Sequence, residues 1–124
     1  MRRKKVFFLI TMLLFAVQLT AANRKFTLVI DAGHGGTDHG APGAYSKEKD
    51  LTLKYALAFG KYVEDNCPDV RVIYTRKTDI FVTLAGRADI ANKANADLFL
   101  SFHINAVTGS RAARGFQSWT LGRG

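Results

Sequence analysis

The chain has 124 residues, a formal net charge of +8, three histidines and one cysteine, which suits one small domain and not two. A lone cysteine excludes an intramolecular disulfide and any cysteine cluster for a metal. The basic residues are scattered and not interleaved with aromatics, so the sequence carries no nucleic-acid footprint.

Residues 1–22 read as a secretory signal peptide outside the fold, with residues 23–124 as the domain. Arg2, Arg3, Lys4 and Lys5 form a positive cluster, Val6 to Val17 is almost unbroken in apolar residues, and Thr20-Ala21-Ala22 offers the small residues of a cleavage site. The apolar run is short of the roughly 20 residues a bilayer span needs. The membrane is therefore expected to matter only during export, to a periplasmic or envelope location, with an uncleaved anchor as the lesser reading. Four of the 18 Lys and Arg and none of the ten Asp and Glu lie in this segment, which leaves residues 23–124 at +4. That mild basicity suits an anionic envelope without naming a partner.

Phe26 to Asp31 is a short β-branched and apolar run that reads as a buried strand. A loop from Ala32 to about Lys49 follows, with glycines at 33, 35, 36, 40 and 43. Asp50 is the expected cap of a helix that starts at Leu51. Leu53, Ala56, Leu57, Gly60 and Val63 then fall on one helical face, and Pro68 stops the helix. Cys67, just before that proline, is given a partly buried packing role. Val70 to Thr75 reads as a second strand. Thr83 caps a helix from Leu84 to about Asn95, and Leu98 to Ile104 is a third strand, apolar on both faces. Val107 to Arg114 is a polar, basic loop, and Phe116 to Leu121 is a candidate fourth strand.

Strands alternating with helices predict an α/β fold: an open, mostly parallel sheet with helices on both faces. Only Gly122, Arg123 and Gly124 follow Leu121. Three residues cannot cover a fourth strand, and folded proteins normally protect such an edge. The expectation is therefore a domain whose C-terminal part is missing.

Three residues suited to a metal stand at telling places. His34 lies just past the first strand, Glu48 ends the glycine loop, and His103 lies near the end of the third strand. Ligands of open parallel sheets gather beyond the C-terminal ends of strands. Two histidines and a glutamate would also leave a fourth position on a catalytic zinc for water. Taken singly, each has an ordinary reading: His34 as a capping residue, His103 as a satisfied core histidine, Glu48 as part of a solvated charge run or helix start. Spacings of 14 and 55 residues add little, and the joint placement makes the case. Ser101 and Asn105 are candidates for outer support of these ligands, and His39 reads as a loop residue.

The stretch from Thr27 through Asp31-Ala32-Gly33-His34-Gly35 to Gly36 resembles the opening motif of the zinc-dependent N-acetylmuramoyl-L-alanine amidase family. Lys47 to Leu51 resembles its second motif and Ser101 to Ala106 its third. Tyr74-Thr75-Arg76, Arg87 to Asn92 and Arg114-Gly115-Phe116 match as well, so the resemblance runs in order over residues 26–121. It implies one zinc ion held by His34, Glu48 and His103. It also implies peptidoglycan as substrate, hydrolysed at the amide between N-acetylmuramic acid and the L-alanine of the stem peptide. Ala32 stands where many members have proline. The resemblance further implies a second glutamate as general acid/base near the end of the family's domain. No glutamate follows Glu64 here, so that residue is expected beyond Gly124. No catalytic residue of this chain is assigned to the role, and a weak or inactive enzyme is expected. Two other readings are a different zinc peptidase and a wall-binding protein that keeps the fold without the chemistry.

Overall fold

The computed structural model describes residues 24–106 and 115–120. Residues 1–23, 107–114 and 121–124 lie outside the described residues, and with them the expected signal peptide, the expected polar loop and the end of the expected fourth strand. Five elements follow in order: β1 (Phe26–Ala32), α1 (Glu48–Asn66), β2 (Val70–Tyr74), α2 (Leu84–Lys93) and β3 (Leu98–Phe102). The strands form one parallel sheet in the order β2-β1-β3, as the alternation of elements predicts.

Strand β1 lies at the centre, and every residue from Thr27 to Ala32 is buried. Alternate side chains serve the two faces of the sheet. Leu28, Ile30 and Ala32 form the core with Ala56 and Val63 of α1. Val29 and Asp31 point the other way, where Asp31 meets Arg87 of α2. Helices thus cover both faces. On α1 the buried residues Lys49, Thr52, Ala56, Gly60 and Val63 recur at three- and four-residue steps. Gly60 is required there, because a Cβ would sit 2.0 Å from the Tyr74 hydroxyl oxygen. Cys67 is half-buried against the core, in the packing role expected of it.

Several boundaries differ from the sequence reading. Helix α1 begins at Glu48, three residues before Leu51, and its N-cap, Lys47, makes no side-chain cap. Loop carbonyls do the capping instead: Glu48 N–H donates to Ala41 at 3.1 Å and Lys49 N–H to His39 at 3.3 Å. Asp50 lies inside the first turn, where a negative charge suits the helix dipole. Thr83 does cap α2, its hydroxyl accepting from Gly86 N–H at 3.0 Å, but the helix ends at Lys93. Strand β3 stops at Phe102 because Ile104 turns its N–H to the Glu48 carboxylate.

β3 is also more open than an apolar run suggests, with Leu98 and Phe99 exposed at the sheet edge. Residues 116–120 form no strand, and Phe116 and Trp119 are exposed, so the expected fourth strand is absent among the described residues. None of the described helices is long and apolar enough to cross a membrane.

Candidate metal centre

His34 and His103 leave the C-terminal ends of adjacent strands, and Glu48 opens the helix that the intervening loop delivers. One ligand atom of each comes within 4.8 Å of the other two. His34 Nε2 lies 3.2 Å from Glu48 Oε2, and His103 Nδ1 lies 3.2 Å from Glu48 Oε1. The two imidazoles meet edge to face, with centroids 4.8 Å apart.

Glu48 is the fixed member of the three. Its side chain is 4% exposed, and each oxygen accepts a backbone N–H: Oε1 from Ile104 at 2.7 Å, Oε2 from Ala41 at 2.8 Å. Burial pushes its pKa up. The Ala41 and Ile104 N–H groups, with His34 and His103 beside it, more than reverse this and hold the carboxyl below its usual range. An ionised, oriented carboxylate is therefore ready between two imidazoles, and this donor set suits a divalent metal that takes nitrogen and oxygen ligands.

The loop carrying His34 is held by a buried polar network. His34 has φ +61°, and Gly35 and Gly36 follow at +129° and +57°, so the chain turns back sharply and its carbonyls point inward. Two arginines receive them. Arg76 donates to the carbonyls of Ala32 and Gly33, each at 2.9 Å, and to Lys49 at 2.8 Å. Arg87 donates to the carbonyls of Ala32 and His34, each at 2.8 Å. Arg87 in turn pairs with Asp31, which also accepts from the hydroxyls of Thr75 and Ser101, each at 2.6 Å. No buried side-chain polar atom among the described residues lacks a partner. The glycine positions follow from the crowding. A Cβ on Gly33 would lie 2.5 Å from His103 Cε1, and one on Gly40 would lie 2.6 Å from the His34 ring.

The other sequence candidates fall elsewhere. Ser101 hydrogen-bonds Asp31, and so acts two steps from His34, through Asp31 and Arg87. Asn105 is exposed and His39 is an exposed loop residue. Asp38 was not singled out from sequence, yet its Oδ2 lies 2.9 Å from His34 Nδ1. His34 and the Gly40 N–H hold its carboxyl below the usual range. The only sequence signal for it is an acid four residues after the histidine in a glycine loop. A cleft of about 600 Å³ opens beside His34 and His103 and extends to Phe81 and Phe99.

Residues 28–123 match the family model described as N-acetylmuramoyl-L-alanine amidase. The chain belongs to this family. It is 40% identical over 92 residues to the sporulation-specific N-acetylmuramoyl-L-alanine amidase of Bacillus subtilis, covering 74% of this chain and 34% of that protein. It is 44% identical over 90 residues to the endolysin of Bacillus phage SPP1, covering 73% and 32%. The N-acetylmuramoyl-L-alanine amidase structure from Clostridium difficile superposes with a TM-score of 0.70 at 34% identity, over 74% of this chain and 50% of that one. The chain thus spans about a third of these curated relatives and half of the solved relative. This family chain contains a group of residues able to hold a metal ion.

Proposed function

We propose that this protein is a zinc-dependent peptidoglycan hydrolase that cuts the amide between N-acetylmuramic acid and the L-alanine of the stem peptide. The observation that carries this reading is the convergence of His34, Glu48 and His103 at the C-terminal ends of β1 and β3 in a chain of the amidase family. Tetrahedral ligands about 2.0–2.1 Å from a zinc ion stand roughly 3.3–3.5 Å from one another. Glu48 approaches His34 through Oε2 and His103 through Oε1, each at 3.2 Å, and single ligand atoms of the three lie within 4.8 Å of one another, so a small inward movement would complete the set. Zinc held there would lower the pKa of water and polarise the scissile carbonyl.

The chain's own residues orient the centre. Glu48 is fixed by two backbone N–H groups, and the His34 loop by Arg76 and Arg87. The apolar cleft beside the two histidines gives an extended substrate room to lie against the centre. A proton must also pass from the attacking water to the leaving amine, which contributes about 100- to 10,000-fold. Of the sequence's two glutamates, Glu48 is in the trio and Glu64 is exposed on α1, so neither is placed for this. We assign it to the second glutamate that the family resemblance implies, which is not among the described residues. We further place the protein in the cell envelope, exported through residues 1–22.

One expression experiment tests these points together. Produced in a bacterial host, the chain is expected in the periplasm with its N-terminus near Asn23 and with one equivalent of zinc. His34→Ala should lose the metal, whereas His39→Ala should keep it. Long incubation with purified peptidoglycan should release stem peptides that begin with free L-alanine, and a chelator should stop the release. Cleavage within the stem peptide would instead establish the peptidase reading. Binding to peptidoglycan without any cleavage, even by a version supplied with the second glutamate, would establish the wall-binding one.

A further inference from the structure

His34 has two ring nitrogens, and only one can face the centre. Nε2 lies 3.2 Å from Glu48 Oε2, while Nδ1 lies 2.9 Å from Asp38 Oδ2. A neutral imidazole carries one N–H, and an ionised carboxylate can only accept. Whichever carboxylate takes that N–H therefore decides which nitrogen keeps its lone pair. Both Glu48 oxygens already accept backbone N–H groups. Asp38 has one oxygen engaged, Oδ1 by Gly40 N–H at 3.1 Å, and turns the other to His34.

Loop geometry fixes this arrangement. Gly35 and Asp38 exchange a pair of backbone hydrogen bonds, N–H to carbonyl in each direction, at 2.9 and 3.1 Å. The left-handed turn at His34, Gly35 and Gly36 then brings Asp38 back beside the imidazole. The Asp38 side chain is 46% exposed. Surface pairs of this kind contribute little to global stability, so the contact matters mainly to His34.

We infer that Asp38 is a positioning residue for the metal centre: it takes the Nδ1 proton of His34 in a hydrogen bond and so presents the Nε2 lone pair to the metal. The inference deepens the proposed function and rests on His34 being a ligand. Partners that orient a metal-bound histidine from behind are typically worth about 10- to 100-fold in metal affinity.

The conservative variant gives a test that a merely structural role would not satisfy. In Asp38→Asn the amide oxygen can still accept from Gly40, which preserves the turn. Its NH₂ then faces Nδ1 and favours the opposite tautomer, with the proton on Nε2. Asp38→Ala removes the partner altogether. The full chain is prepared metal-free, and long-range ¹H–¹⁵N spectra read the His34 tautomer. Zinc affinity is read by competition with a chromogenic chelator, with His39→Ala as the control. We expect Nδ1–H in the unsubstituted protein and Nε2–H in Asp38→Asn. Affinity should fall about 10- to 100-fold in both Asp38 variants and stay unchanged in His39→Ala. An Nε2–H tautomer in the unsubstituted protein would overturn the inference whatever the variants do. So would affinities within about threefold of the unsubstituted protein, while leaving the metal reading intact. Failure of the unsubstituted protein to bind zinc would overturn both.

Discussion

The two histidines are held in different ways. His34 stands in a left-handed backbone conformation whose flanking carbonyls are received by Arg76 and Arg87, and its side chain is 21% exposed. His103 follows an edge strand, is 45% exposed, and is directed mainly by the strand end and by Glu48. One histidine is fixed by a buried polar network, and the other by where a strand points and by Glu48. Glu48 joins them, because its oxygens accept from Ala41 on the His34 loop and Ile104 beside His103. The centre is thus rigid on the β1 side and adjustable on the β3 side.

Breaking the rigid side should have the largest effect. Arg87→Met leaves Asp31, with a side chain 3% exposed, without its charged partner. It also removes the side-chain donor to the His34 carbonyl and one of the two arginine donors to Ala32. Loss of one member of a buried pair costs about 3–5 kcal/mol, and urea unfolding should show a loss of that size. A loss under about 1 kcal/mol would mean that the network is not what holds the His34 loop.

Crowding the adjustable side should separate metal affinity from stability. In Gly33→Ala the new Cβ falls 2.5 Å from His103 Cε1 and 2.7 Å from the Phe102 carbonyl oxygen. Overpacking typically costs about 1–3 kcal/mol. Because the His103 ring is open to solvent on one side, it can swing away, so the cost should fall at the low end. Zinc affinity should drop by about tenfold or more, the scale of a misoriented ligand. Calorimetric zinc titration beside a urea curve checks both. A stability loss with unchanged affinity would place the strain in the β3 backbone and leave the ligand free of it.

The same contrast explains what the sequence made legible. The strand and helix order, the parallel sheet and the cap at Thr83 were readable because periodicity and capping are local. His34, Glu48 and His103 were readable as a set only through strand ends and family motifs, and the structure does bring them together. Helix α1 was expected too late because carbonyls of His39 and Ala41 cap it, a contact made by loop folding that no residue type announces. Strand β3 reads as apolar on both faces, yet apolar composition does not say whether a neighbouring element covers Leu98 and Phe99. Asp38 escaped notice because its link to His34 depends on a left-handed turn. Arg76 and Arg87 were visible as motif letters without a role, since their targets are backbone carbonyls that carry no sequence signal.

The smallest expected effect tests how β3 is fastened at its far end. Asp97 precedes the strand, and its N–H donates to the Thr27 carbonyl at 2.9 Å. Its carboxylate accepts from Thr27 N–H at 2.7 Å and pairs with Arg24. The Thr27 N–H first, and then Arg24, lower the carboxyl pKa from its ordinary 3.8, against an opposing contribution from burial. Because the native carboxylate binds a proton more weakly than the unfolded one, stability rises with pH through this window. The contribution is complete above the ordinary value and is lost as pH falls through the lowered native one. Asp97→Asn keeps an oxygen that can accept from Thr27 but removes the charge. Urea midpoints should therefore favour the unsubstituted protein at pH 6, and the gap should close progressively below pH 3.8. A gap that stays constant into strong acid would show that Asp97 fastens β3 by shape and neutral hydrogen bonding alone. A gap that closes would show that charge fastens the outer end of β3, as the Glu48 carboxylate does for Ile104 at the other end.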